Sequence, residues 1–126
     1  MAKPKYSIRI EGAEEVARIL GGDIQKIAKA AENAMKESSL YVEAQVKASI
    51  AGRSAESKSV DTGLFLRSTA SSFDTNSATV FNTVEYAPYL EHGTSKMKPR
   101  RHFGNVLARE EKKVVSFVRE EIKKAL

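Results

Sequence analysis

Apolar side chains fall on alternate residues in Tyr6-Ser7-Ile8-Arg9-Ile10, the spacing of a strand with one buried face, and Gly12 ends it. Ala13 to Leu20 can form a short helix with Val16, Ala17 and Leu20 on one side, which Gly21-Gly22 then breaks. Asp23 is a good N-cap, and behind Ile24 the positions Ile27, Ala28, Ala31, Met35, Ser38, Val42, Val46 and Ile50 recur every third or fourth residue. The pattern predicts one amphipathic helix of roughly 27 residues, about 40 Å long at about 1.5 Å per residue. That length fits equally a helix that projects or serves as a backbone for assembly and a long core helix in a monomer. Its shallow, Ala-rich stripe permits close packing against a neighbouring element.

Ala51 to Ser59 is small and polar with no periodic apolar position, and reads as an exposed, mobile loop. Leu64 to Ser72 fits a helix and a strand equally well. Ala78 to Val84 is rich in β-formers and follows the turn-prone Asp74-Thr75-Asn76-Ser77, so it reads as the second strand of a hairpin begun near Ser71 to Phe73. Pro88 has no N–H for a ladder, which makes Tyr86 to Glu91 an edge, a bend or a short helical turn. His92-Gly93-Thr94-Ser95 then turns the chain into a basic loop. From Phe103, the residues Val106, Leu107, Val114, Phe117, Val118, Ile122 and Ala125 keep helical spacing to the last residue, with Lys123 and Lys124 near the negative end of the helix dipole. The elements predict an α+β fold: a small antiparallel sheet packed by the long helix after Gly22 and the C-terminal helix after Phe103.

A chain of 126 residues is the size of a single domain, taken as residues 1–126. The absence of cysteine excludes disulfides, thiolate metal sites and a cysteine nucleophile together. Uninterrupted apolar runs are short, and a soluble protein made in the cytoplasm, with no membrane partner, is the expectation. The net charge of +5 is unevenly placed, because Lys96 to Leu126 carries 10 basic and 4 acidic residues. Lys96, Lys98, Arg100 and Arg101 fall within six residues free of acids, a density that attracts phosphate or an acidic protein surface. Only His102 and Phe103 stand beside them for base stacking, which is thin support for nucleic-acid binding.

Candidate chemistry is sparse. Glu91-His92 with His102 ten residues later is a poor metal set, since adjacent residues seldom reach one ion. Thr94 and Ser95 lie beside His92 without an orienting carboxylate pattern. Gly21-Gly22 lacks the further glycine and lysine of a nucleotide loop. No catalytic residue, metal or cofactor is assigned on these grounds. One enzymatic alternative is a small basic ribonuclease, in which His92 or His102 moves a proton while Lys98, Arg100 and Arg101 steady the phosphate.

Two stretches carry a resemblance. Asp61-Thr62-Gly63-Leu64-Phe65-Leu66-Arg67-Ser68 resembles a Thr-Gly-x-Leu-x-x-Ser signature, with Phe65 where leucine is usual. Val84-Glu85-Tyr86-Ala87-Pro88-Tyr89-Leu90-Glu91-His92-Gly93-Thr94 resembles a Tyr-Ala-x-Tyr-x-Glu-x-Gly-Thr signature, followed by Arg101-His102-Phe103, where His102 replaces the customary proline. Both belong to the head-tail joining, or neck, proteins of long-tailed bacteriophages, the tail-completion proteins of the minor tail protein Z type. The order of elements agrees from Ile24 to Leu126. The resemblance implies a non-catalytic virion or prophage protein that assembles into a homo-oligomeric ring in the neck. There it bridges the head-closure connector to the tail tube or tail terminator, and DNA passes through without sequence-specific contact.

Beside that resemblance, Thr62-Gly63 and Gly93-Thr94 stand at changes of chain direction that favour positive φ at glycine. Tyr86 and Tyr89 offer flat bodies with hydroxyl tips suited to an interface or a half-buried core. Glu91 can pair with Arg100 or Arg101 in its own subunit or the next. Tyr86, Tyr89, Glu91, Lys96, Lys98, Arg100 and Arg101 are therefore the candidate subunit and partner contacts. Ala51 to Ser59 and Ser95 to Arg101 are the candidates for ordering on assembly.

Overall fold

The computed structural model describes residues 4–12, 24–56, 58–60 and 63–125. The expected helix from Ala13 to Leu20, the Asp23 cap and Thr62 lie outside the described residues. In chain order the elements are β1 (Tyr6–Glu11), α1 (Ile24–Ile50), α2 (Leu64–Arg67), β2 (Thr69–Phe73), β3 (Ser77–Asn82), α3 (Ala87–His92) and α4 (His102–Ala125). The three strands form one antiparallel sheet in the order β1-β3-β2. Helices α1 and α4 pack against each other, α1 also covers β2 and β3, and α4 meets β1. The architecture is the α+β arrangement that the periodicities predict.

Helix α1 is the axis of the core, which decides for the core helix over the projecting one. Val42, Val46 and Ile50 are fully buried with Ile8, Val80, Phe65, Phe103 and Val106. Its N-terminal half buries Ala31, Ala34 and Met35 against Ala78. Small side chains there let the sheet approach closely, as their spacing predicts. Each fully buried valine or isoleucine contributes about 1.5–3 kcal/mol by leaving water. A direct tie holds the two long helices: the Tyr41 hydroxyl donates to Glu110 Oε2 at 2.8 Å.

The ambiguous stretch Leu64 to Ser72 is both structures in succession, α2 and then β2. A buried amide decides the switch. Asn82, at the end of β3, donates through Nδ2 to the Phe65 carbonyl at 2.8 Å and to Thr69 Oγ1 at 3.0 Å, and its Oδ1 accepts from the Val84 N–H at 2.9 Å. Every polar edge of that amide is used, so α2 cannot propagate into β2 without stranding it. At the other end of the hairpin, Asp74 Oδ1 accepts from the N–H groups of Asn76 and Ser77, and the Asp74 N–H closes the turn on the Ser77 carbonyl at 2.8 Å. This is the local capture of backbone donors that makes aspartate a turn residue.

Candidate functional site

The residues carrying the resemblance converge at the end of the sheet where β2 begins and β3 ends. Gly63 stands before α2 at φ 85°. Gly93 ends α3 with φ 80° and ψ 175°, a conformation that β-carbon-bearing residues rarely adopt. A Cβ there would lie 2.8 Å from both the Met97 carbonyl oxygen and the Pro99 nitrogen, so glycine is required by conformation and by space alike. Thr94 bridges to Met97, and its Oγ1 accepts from the Lys96 N–H at 3.1 Å. Pro88 sits in the first turn of α3, where a missing N–H costs nothing.

Glu91 is 3% exposed and makes no ion pair with Arg100 or Arg101 of its own chain. Its carboxylate instead accepts from the Phe103 N–H at 3.0 Å and the Gly104 N–H at 2.9 Å, two donors that the first turn of α4 leaves without helical partners. Arg101, at the N-cap place and at φ 53°, supplies no acceptor of its own, so Glu91 caps α4 from another helix. Gly104 permits it, because a Cβ there would stand 3.0 Å from Glu91 Oε2. Neither the donor pair nor the role of Gly104 has a signal in the sequence, since the cap residue is eleven positions upstream of the helix start it serves.

A second buried polar chain ties the loop after α1. His102, the first residue of α4, is fully buried with Nδ1 2.8 Å from Ser49 Oγ and Nε2 2.7 Å from Ser59 Oγ. Ser49 Oγ donates to Glu56 Oε1 at 2.6 Å, and Glu56 also receives a two-pronged contact from Arg109 at 3.0 and 3.1 Å. The Arg109 guanidinium, more than the hydroxyl and amide bonds, holds the Glu56 carboxyl down at about 2. Glu56 is thus an acceptor only, so Ser49 donates to it and accepts from His102 Nδ1–H, and Nε2 accepts from the Ser59 hydroxyl. Burial, reinforced by Arg100 and opposed by Glu56, pushes the His102 imidazole down to about 4. The imidazole is neutral.

The loop read as mobile is therefore anchored. The Ser59 N–H bonds the Ile50 carbonyl at 2.8 Å, and Arg100 donates to the Lys58 carbonyl at 3.0 Å. The basic loop is likewise held, by the Arg100 N–H on the Leu90 carbonyl at 2.7 Å. His92 is no part of the buried chain: it is exposed, and its ring packs edge-on against Tyr6 at 5.3 Å. The two histidines do not share a site.

What the corner presents outward is apolar and cationic. Tyr86, Tyr89 and Leu64 are 42%, 59% and 44% exposed, and Lys96, Lys98 and Arg101 face solvent. Lys58, Val60, Leu64, Tyr86, Leu90 and Arg100 line an open cleft of about 530 Å³. Among the described residues no three histidine, aspartate or glutamate side chains converge as a metal site, and no helix is long and apolar enough to cross a membrane. Compared with protein-family models, curated proteins and solved structures, the chain matches none.

Proposed function

We propose that this chain is a non-catalytic, ring-forming neck protein of a tailed phage or prophage, joining the head-closure connector to the tail tube or terminator. One observation carries the reading: Leu64 from the first motif and Tyr86 and Leu90 from the second line the same cleft, although some twenty positions separate them. The buried carboxylate of the second motif, Glu91, is spent on holding the chain. The apolar side chains that remain outward, Leu64, Tyr86 and Tyr89, have the composition of an interface core. The test mixes purified protein with the connector and tail-tube proteins of the same genome and reads mass by light scattering and electron microscopy. Rings, or complexes with either partner, support the reading, whereas a persistent monomer that binds neither refutes it.

The exposed Lys96, Lys98 and Arg101 favour a second reading, contact with DNA phosphates. Duplex binding with a steep inverse salt dependence, flattened by Arg100→Ala with Arg101→Ala, supports it. No binding at low salt removes it.

A further inference from the structure

The cleft lies at one end of the sheet and the β2–β3 turn at the other. Thr69 and Phe73 are separated by about 13 Å of strand, at roughly 3.3 Å per residue. At the far end Phe73 is 42% exposed, a large aromatic ring on an edge strand, and the next residue is the exposed Asp74. Asp74 and Glu11 there outnumber Arg9, which pairs with Glu11 at 3.2 Å, so the tip is net negative. The cleft has the opposite character, with Lys58 and Arg100 at its rim, no carboxylate among its described lining residues, and Val60, Leu64 and Tyr86 exposed along it.

We infer that the cleft receives the hairpin tip of a second copy of this chain: Phe73 lies against Leu64, Tyr86 and Leu90, and Asp74 faces Lys58 and Arg100. This deepens the ring assembly proposed above and rests on it. An aromatic side chain entering an apolar cleft with its charged neighbour at a cationic rim is the arrangement of an interface anchor. Cleft and tip occupy opposite ends of one sheet, so each copy offers a tip to one neighbour and a cleft to the other. Such a head-to-tail contact repeats, and it closes into a ring when the rotation per copy divides the circle.

The chain has no cysteine, so pairwise cross-linking has no background. One preparation carries Phe73→Cys, and the other carries Leu64→Cys or Tyr86→Cys. Val115→Cys, at a position 48% exposed on α4, is the control, and circular dichroism verifies that each variant folds. After mixing and mild oxidation, disulfide-linked dimers from the 73–64 and 73–86 mixtures should exceed 73–115 dimers by about tenfold. Leu64→Glu, an exposed change that puts a carboxylate against Phe73 and next to Asp74, should abolish the 73–86 product.

Equal yields in all mixtures overturn the contact, as does a Leu64→Cys chain that cross-links to connector or tail-tube protein and never to position 73. Rings that form without 73–64 linkage sink the contact and leave the neck assignment standing. Linkage at 73–64 in a protein that binds neither connector nor tail tube does the reverse.

Discussion

Lowering the pH from 7 to 5 should weaken this fold through one imidazole. His102 is fully buried and held near 4, mainly by burial, against an ordinary value of 6.5. The unfolded chain takes up a proton as pH drops below 6.5, while the folded chain refuses it until about 4. Stability is therefore complete above 6.5 and lost as pH falls toward 4, at up to about 1.4 kcal/mol per pH unit. The full loss is on the order of 3 kcal/mol, of which about 2 kcal/mol falls between pH 7 and 5. Glu56 works lower on the scale: its support is present above 4.5 and disappears as pH falls through about 2. Glu37 shifts upward, mainly through its hydrogen bond to Glu121, so it is the comparison with a His102 variant, in which Glu37 is unchanged, that isolates His102. Urea unfolding followed by circular dichroism, at steps of about half a pH unit, should give a falling free energy with a constant m-value in the wild type. His102→Gln should be weaker at pH 7 by about 1–3 kcal/mol, because it cannot reach both serines, yet should lack that part of the slope. Equal slopes in the two proteins would refute the assignment of the proton to this side chain.

Glu91→Ala should destabilise by about 3 kcal/mol and Glu91→Gln by roughly half as much, since the amide keeps one acceptor for the α4 amides; urea midpoints check the order. Exchange rates at Phe103 and Gly104 should rise in both, and unchanged exchange would contradict the cap. Gly93→Ala should cost more than about 2 kcal/mol from positive φ and backbone overlap together, measured as a lowered Tm. Glu56→Ala frees the loop after α1, so trypsin should cut after the exposed Arg53 several times faster than in the wild type. The buried Ser38 hydroxyl has no hydrogen-bond partner among the described residues, so Ser38→Ala should leave thermal stability unchanged or raise it by up to about 1 kcal/mol.

The long elements were legible in the sequence because their periodicity records which face is buried. Helix α1 ends at Ile50, where the stripe stops, and the β2–β3 turn lies where Asp74 and Asn76 point to it. What the pattern missed were polar contacts between residues distant in sequence. The loop after α1 has no apolar periodicity and looks unanchored, yet Glu56 reaches Arg109 and Ser59 reaches His102, 53 and 43 positions away. Glu91 beside a cationic loop suggested an ion pair, whereas the amides of α4 claimed its carboxylate. The spacing of α1 gave its buried face but left open whether it projects, because the partners that cover it come from elements whose packing is set by tertiary contact. Of the candidate contacts, Tyr86 and Arg100 meet in the cleft, Glu91 is internal, and Tyr89, Lys96, Lys98 and Arg101 are outward.

The strand order has a consequence for biosynthesis. Tyr6 pairs with Asn82 and Glu11 with Ser77, so among the described strands β1 finds no mate until β3 has been made. Helix α1 and the β2–β3 hairpin, held by local bonds, can form before β1 joins, whereas β1 pairs late, across the intervening α1, α2 and β2. Mutations in the turn at Asp74 should therefore act on the yield of folded chain from translation more strongly than their effect on the finished protein suggests.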